Sequence, residues 1–492
     1  MFGLFSNKKN QPPQKSYSPF DLDKPLVYFS RNDAWTIGDA CEGTQIFGAT
    51  GSGKTSGSGK SIARSFLQSG FGGLVLTAKP DERQLWERYC AEMGCSDSLI
   101  IVSPESGFKF NFLDYEMNRP GSGGGLTENL VNLFYNILEI AEQKGGGSGD
   151  PYWERAVKQM LRNTIDLISI AKGSISVMDM YEVITSAPLN FDEVQDRKWQ
   201  DSSYCFDLIK TAEHTPKSES KKRDLDFTAR YWLNEFPNIS DRTRSIIISS
   251  FTSMADCFLR GVLRDMFCEE TNFFPELTHQ GAIILLDLPI KEYNELGQYA
   301  QVLFKYIWQQ TAERRNVHEN PRPIFLWADE SQNFITSYDQ TFQTTARSSR
   351  ACTVYLTQNL PNYITALSGG REAKAKVDAF MGNLQTKIFH ANGDSITNTW
   401  AAELISKNWQ YRNNMNASTS DNGNSFFPEV TGKQHGIGQS ESLDYQVLPY
   451  EFTTLRKGGH HNKLQVDAII FQGGKMWKST RKNHLHTVFS QV

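Results

Sequence analysis

No run of 18 consecutive apolar residues occurs anywhere in this 492-residue chain, which excludes an evident membrane-spanning helix. The longest apolar stretch, GAIILLDLPI at 281–290, is broken by Asp287 and has the length of a buried strand. The opening MFGLFSNKKN is too short in apolar residues for a secretory leader. The expectation is a cytoplasmic protein, at most peripheral at the inner face of the membrane through a partner. Seven cysteines, with no CxxC and no paired histidine spacing, exclude a zinc ribbon and a disulfide framework and read as reduced, mostly buried thiols. Charge of one sign is also lacking: 51 Lys and Arg against 55 Asp and Glu give a net charge of -4. That balance offers no bulk argument for nucleic acid, although it leaves room for a local basic surface. The length exceeds one ordinary core, so two domains are expected, one interrupted by the other.

Glycine and lysine come together in one repeated pattern. Residues 48–61 read GATGSGKTSGSGKS, a Gly-Ser-Gly-Lys-hydroxyl pattern twice, at Lys54 and Lys60. A phosphate-cradling loop needs a strand to deliver the chain, glycines that let the backbone fold over the anion, and a following helix whose N-terminal amides face the phosphates. Only the first copy meets these conditions. Gly48 opens it, Ala49, Thr50, Gly51 and Ser52 form its bend, and Gly53, Lys54, Thr55 and Ser56 close it behind the apolar Gln45-Ile46-Phe47. The second copy has Lys54 where its opening glycine belongs, and it falls where the helix must begin. Glycines cost roughly 1 kcal/mol each in a helix, so Gly57 and Gly59 are expected to pack closely against a neighbouring backbone. A Gly/Ser-rich surface loop with a solvated Lys54 is the plain alternative; it would require no acidic strand end elsewhere.

Short apolar runs near 43–47, 73–77 and 98–102 alternate with helical stretches, the pattern of a parallel α/β sheet. From Trp153 to about Met266 helical periodicity continues without strands. The sheet resumes at AIILLDLP, a helix follows over about 292–314, and then come IFLWADE, CTVYLTQ and LQTKIFH. The domain reading is an N-terminal segment at 1–42, a nucleotide-binding domain at 43–118 and 276–474, an all-helical insertion at 119–275, and a basic tail at 475–492. Residues 411–443, rich in Asn, Ser and Gly, are expected as a mobile loop or extended hairpin. KLQVDAIIFQ is expected to be the last strand and the tail a solvated end.

Nucleotide hydrolysis also needs a carboxylate for Mg²⁺ and a group that acts on the attacking water. PIFLWADES supplies Asp329 at a strand end for the metal and Glu330 next to it for the water. Asp287 also ends an apolar strand, but Leu288-Pro289 follows it rather than a glutamate, so it reads as a turn. Gln358 ends the next strand in VYLTQN, where an amide can report the γ-phosphate or can be an ordinary strand-end residue. TTARSSRAC places Arg347 and Arg350 at a helix end, either as cations on the helix dipole or as an arginine offered to a neighbouring subunit's nucleotide.

With these residues in view the chain resembles the TraG/TraD-type coupling ATPases of conjugative type IV secretion, within the HerA/FtsK group of ring motors. The resemblance runs from about residue 40 and is carried by TGSGKT, KFNFLDYE, DPYWERAVKQMLRNTIDLI, LWADESQNF, ARSSRACTVYLTQNL, MGNLQTKIFHANGDSITNTWAAELIS and LPYEFTTL. It implies a RecA-like P-loop ATPase domain interrupted by the all-helical domain, with ATP and Mg²⁺ held by Gly48 to Ser56 and Asp329. It further implies catalysis by Lys54, Glu330 and Gln358, Arg347 as a finger acting across subunits, and a hexameric ring handling single-stranded or relaxase-bound DNA beside a secretion-channel or relaxosome protein. Two departures stand out. Thr77 occupies a place that tends to be acidic, in LTAKPDER, and the paired N-terminal transmembrane helices of coupling proteins are not found. A soluble cargo-recruitment platform with a switching ATPase, or a HerA-like partner of a nuclease, remain the alternatives.

Overall fold

The computed structural model describes residues 17–145, 151–367, 369–419 and 433–492, with backbone alone at 141–145, 151, 410–419 and 433–440. Its strands are β1 (Pro25–Ser30), β2 (Asp33–Thr36), β3 (Thr44–Phe47), β4 (Gly72–Leu76), β5 (Leu99–Val102), β6 (Ile283–Leu286), β7 (Ile324–Ala328), β8 (Ala351–Thr357), β9 (Thr386–Phe389), β10 (Lys407–Thr419), β11 (Lys433–Tyr445), β12 (Gln465–Gln472) and β13 (His484–Ser490). Nine of them form one sheet in the order β13-β12-β9-β3-β8-β7-β4-β6-β5. From β9 to β5 every pairing is parallel, and β12 and β13 add an antiparallel edge. The registers Phe47 with Thr357, Tyr355 with Ala328, and Ala328 with Leu76 align four carboxyl ends along one rim.

The central strands are buried on both faces, so they read as continuous apolar runs. One face packs on the helices Lys60–Gln68 and Glu82–Met93, where Trp86 stacks on Phe325 at 5.6 Å and meets Trp327 edge-on at 5.5 Å. The other face packs on the helix Ile290–Arg314, which turns at Asn294 (φ 50°), and through it on the helical region.

Between β5 and β6 the described residues contain helices and turns but no strand, among them the long helices Thr127–Gly145, Pro151–Lys172 and Asp241–Leu259. The chain leaves and re-enters at one place: Phe110 bridges Thr271, and its N–H donates to the Met266 carbonyl at 2.7 Å. An inserted unit needs that closure. Among the described residues no single helix is long and apolar enough to cross a membrane.

Two expectations need adjustment. The chain at 411–443 takes the hairpin alternative as β10 and β11, paired from Lys407 with Tyr445 to Thr419 with Lys433, while 420–432 lies outside the described residues. The region after 475 is not a free solvated end, and β12 is not the last strand. HLHTVFS forms β13 against β12 and buries Leu485, Thr487 and Phe489. Lys475 and the Lys478 N–H are taken up by Asp39 and Asp33 of the N-terminal segment. The alternation in HLHTVFS is that of a half-buried edge strand, and the basic residues before it obscured it.

Candidate nucleotide site

β3 delivers the chain to the aligned rim, where 48–54 bend back before a helix begins. Gly51 and Gly53 take positive φ, 72° and 86°, which side chains resist. A Cβ on Gly53 would also lie 2.6 Å from Val466 of β12, and one on Gly48 2.3 Å from Ser52 Oγ. The helix opens with a π-turn over Thr55–Gly59, closed by the Gly59 N–H on the Lys54 carbonyl at 2.9 Å, and continues as Lys60–Gln68. Both glycines are tight, but not against a neighbouring backbone as expected: a Cβ on Gly59 would sit 2.9 Å from the Lys54 carbonyl oxygen of the widened turn itself, and one on Gly57 3.3 Å from the Val466 side chain. The turn is fixed from below by buried His390. Its Nδ1 lies 2.9 Å from the Asp467 carbonyl and so carries the proton, leaving Nε2 to accept from Ser58 Oγ at 2.7 Å. Burial, with Lys54 adding to it, brings this imidazole down to about 4 despite the Asp467 carbonyl, so it is neutral.

Two strands away, the end of β7 faces the loop. Thr55 Oγ1 donates to Asp329 Oδ2 at 2.8 Å, and Asp329 is 3% exposed. Glu330 follows in left-handed backbone (φ 48°), its own N–H on Asp329 Oδ1 at 2.8 Å. This turn aims the carboxylate back toward the loop, where Lys54 Nζ lies 3.7 Å and Lys79 Nζ 3.1 Å from the same oxygen. Gln332 Nε2 donates to the other oxygen at 3.1 Å, and Gln332 Oε1 accepts from Thr357 at the end of β8 at 2.7 Å. Burial alone would raise the Glu330 carboxyl; Lys54, Gln332 and Lys79 outweigh it and hold it below the usual carboxylate range. Gln358 lines the same cleft, its carbonyl held by Asn392 Nδ2 at 2.9 Å. The cleft, about 860 Å³, runs along Thr50 to Ser56 and is walled by Lys79, Glu330, Gln332 and Gln358.

Lys79, Glu82 and Gln332 were not singled out from sequence. Thr77, in the place expected to be acidic, is buried and neutral, with its hydroxyl on the Leu286 carbonyl at 2.7 Å and its peptide clasped by the Gln301 amide. The acid comes five residues later. Glu82 is 6% exposed, accepts from the Ala78 N–H at 2.7 Å, and has one carboxyl oxygen without a partner. Burial first and the Asp329 charge second push it up to about 8, against the Ala78 and Lys79 N–H groups. The signal was present in LTAKPDER, but a Pro-Asp-Glu turn reads as solvated.

The other candidates lie elsewhere. Asp287 accepts from Arg83 at 3.0 Å, an ordinary strand-end ion pair. Arg347 and Arg350 precede β8, at the opposite rim; seven strand residues place them about 23 Å from Gln358. Arg350 is structural, donating to the Phe20 and Pro321 carbonyls at 2.9 Å each from left-handed backbone (φ 50°). Arg347 is 67% exposed and meets Glu42 at 3.1 Å.

This arrangement of strands, loop and insertion has solved counterparts. The fold resembles that of the conjugative coupling protein TrwB. The unbound monoclinic form of bacterial TrwBdeltaN70 matches 95% of this chain and 90% of its own length, with a TM-score of 0.60 at 12% identity. Plasmid TrwB in complex with the non-hydrolysable ATP analogue ADPNP matches 92% of this chain and 86% of its own, with a TM-score of 0.58 at 13% identity. TrwB in complex with ADP and Mg²⁺ matches 92% and 88%, with a TM-score of 0.55 at 12% identity. No family model matches the chain, and no curated protein matches it in sequence. The fold is therefore the RecA-like P-loop fold with a helical domain that the TrwB structures share.

Proposed function

We propose that the chain is an ATP-hydrolysing motor of the conjugative coupling type, working as a ring of six copies, as the resemblance implies, on DNA or DNA-protein substrates. The observation that carries this reading is the meeting of Thr55, Lys54, Asp329 and Glu330 at one rim, with Gln358 between the two strands that deliver them. Loop N–H groups and Lys54 bind the phosphates, and Thr55 with Asp329 forms the hydroxyl-carboxylate donor pair that suits Mg²⁺. When bound, the ion screens phosphate charge as the γ-phosphoryl group transfers. Glu330 accepts the proton of the attacking water once its ties to Lys54 and Lys79 loosen, and Gln358 senses the γ-phosphate beside it.

Arg347 fits a role in trans. It sits at the rim opposite its own cleft, exposed and held by one surface carboxylate. The substrate is supported by resemblance to a protein described as a conjugative coupling protein. The test is ATP turnover with and without single-stranded DNA: stimulation by DNA supports a motor, while stimulation only by a protein partner supports the recruitment platform.

A further inference from the structure

The lysine of the second GSGK copy has no part in the phosphate site, yet it lines the same cleft. Its Nζ donates to the Gln491 backbone carbonyl at 3.1 Å. Gln491 is engaged at each of its other polar groups. Its N–H donates to the Leu464 carbonyl at 2.8 Å, its Nε2 to Ser56 Oγ at 2.7 Å, and its Oε1 accepts from the Gly459 N–H at 2.7 Å.

Sheet order gives this cluster its meaning. On one side of β3, strands β8 and β7 bring Gln358, Asp329 and Glu330, which mark where a γ-phosphate ends. On the other side lie β9, β12 and β13. The cleft continues past Ser56 to Lys60 and Gln491, so a nucleotide whose γ-phosphate faces Glu330 has room to extend its sugar and base toward the end of β13. Gln491 follows β13 at that spot, and the turn at Lys457–Gly459 precedes β12, with the Lys457 carbonyl and Val466 pressed against Gly53. Gly458 (φ 86°) leaves room there, since a Cβ on it would lie 2.4 Å from Gln491 Oε1.

We infer that Gln491 is the nucleoside latch of the cleft and that Lys60 is its positioning residue. With Gln491 Oε1 kept on the Gly459 N–H, its Nε2 leaves Ser56 to donate to a ribose hydroxyl or a base acceptor, so that the site distinguishes a nucleotide from a bare polyphosphate. This rests on the nucleotide site proposed above.

The experiment is calorimetric titration of the full chain with ADP and with inorganic pyrophosphate. Gln491→Ala is expected to weaken ADP about tenfold, as loss of a partly buried hydrogen-bonding side chain does, and pyrophosphate less than about twofold. Lys60→Met should weaken ADP about threefold, through Gln491, with pyrophosphate again nearly unmoved. Gln491→Asn, with the amide drawn back by one methylene, gives the same comparison if the alanine variant is unstable. Equal loss for both ligands, or loss for neither, overturns the latch. Failure of the wild-type chain to bind either ligand, or Lys54→Ala binding both as well as wild type, would instead refute the phosphate site itself.

Discussion

Lys54 and Lys60 stand in nearly identical sequence, and the fold gives them different work. Lys54 begins the helix at the rim, 7% exposed, with Glu330 as its counter-charge. Lys60 lies just past the π-turn and meets a backbone carbonyl. The difference comes from what surrounds each lysine. β3 delivers only the first, positive-φ glycines precede only the first, and β7 offers a carboxylate only to the first. A short motif has its chemistry when neighbouring strands converge on it.

The largest effect that would sharpen this comparison is Lys54→Ala, expected to abolish ATP turnover. Lys60→Ala should still turn over, with ATP affinity lowered by no more than about tenfold. Equal loss in steady-state assays would break the distinction.

Next in size is Arg347→Ala, expected to cost on the order of 10³ or more in turnover while leaving ATP binding nearly intact. Mixing it with Lys54→Ala subunits should restore part of the activity, because each lacks what the other supplies. No recovery in rings shown by mass to be mixed would remove the trans role and leave Arg347 as a surface partner of Glu42.

The smallest effect concerns the wall beside Lys79. Glu82 is raised to about 8 from an ordinary 4.5, so the stability linked to its proton is fully present below about 4.5 and is lost as pH rises through about 8. The melting temperature should fall between pH 6.5 and pH 9, and Glu82→Gln should flatten that fall by on the order of 2–5 °C. An unchanged pH profile in the variant would mean that another group titrates.

The central strands and the phosphate loop were legible because strands buried on both faces leave continuous apolar runs, and because the loop demands glycines at fixed spacing. Asp329 and Glu330 were legible for the same reason, at the end of IFLWA. Glu82 was not, because its burial and the Asp329 charge beside it come from the folded sheet, not from the local turn. Lys79 looked like a turn lysine until Glu330 was placed 3.1 Å away. β13 hid behind a basic stretch that Asp33 and Asp39 of the N-terminal segment tie down at Lys475 and the Lys478 N–H, and Gln491 gained significance only from the strand order.

The measurement that tests the account most directly is ATP binding and single-turnover hydrolysis in Glu330→Gln. On the proposed reading Glu330 accepts a proton from water and does not hold the phosphates, so ATP should bind within about threefold of wild type while hydrolysis slows by roughly 10² to 10⁴. Weakened binding with normal hydrolysis of the ATP that does bind would contradict the assignment of Glu330, and with it the reading of this rim as a hydrolytic site.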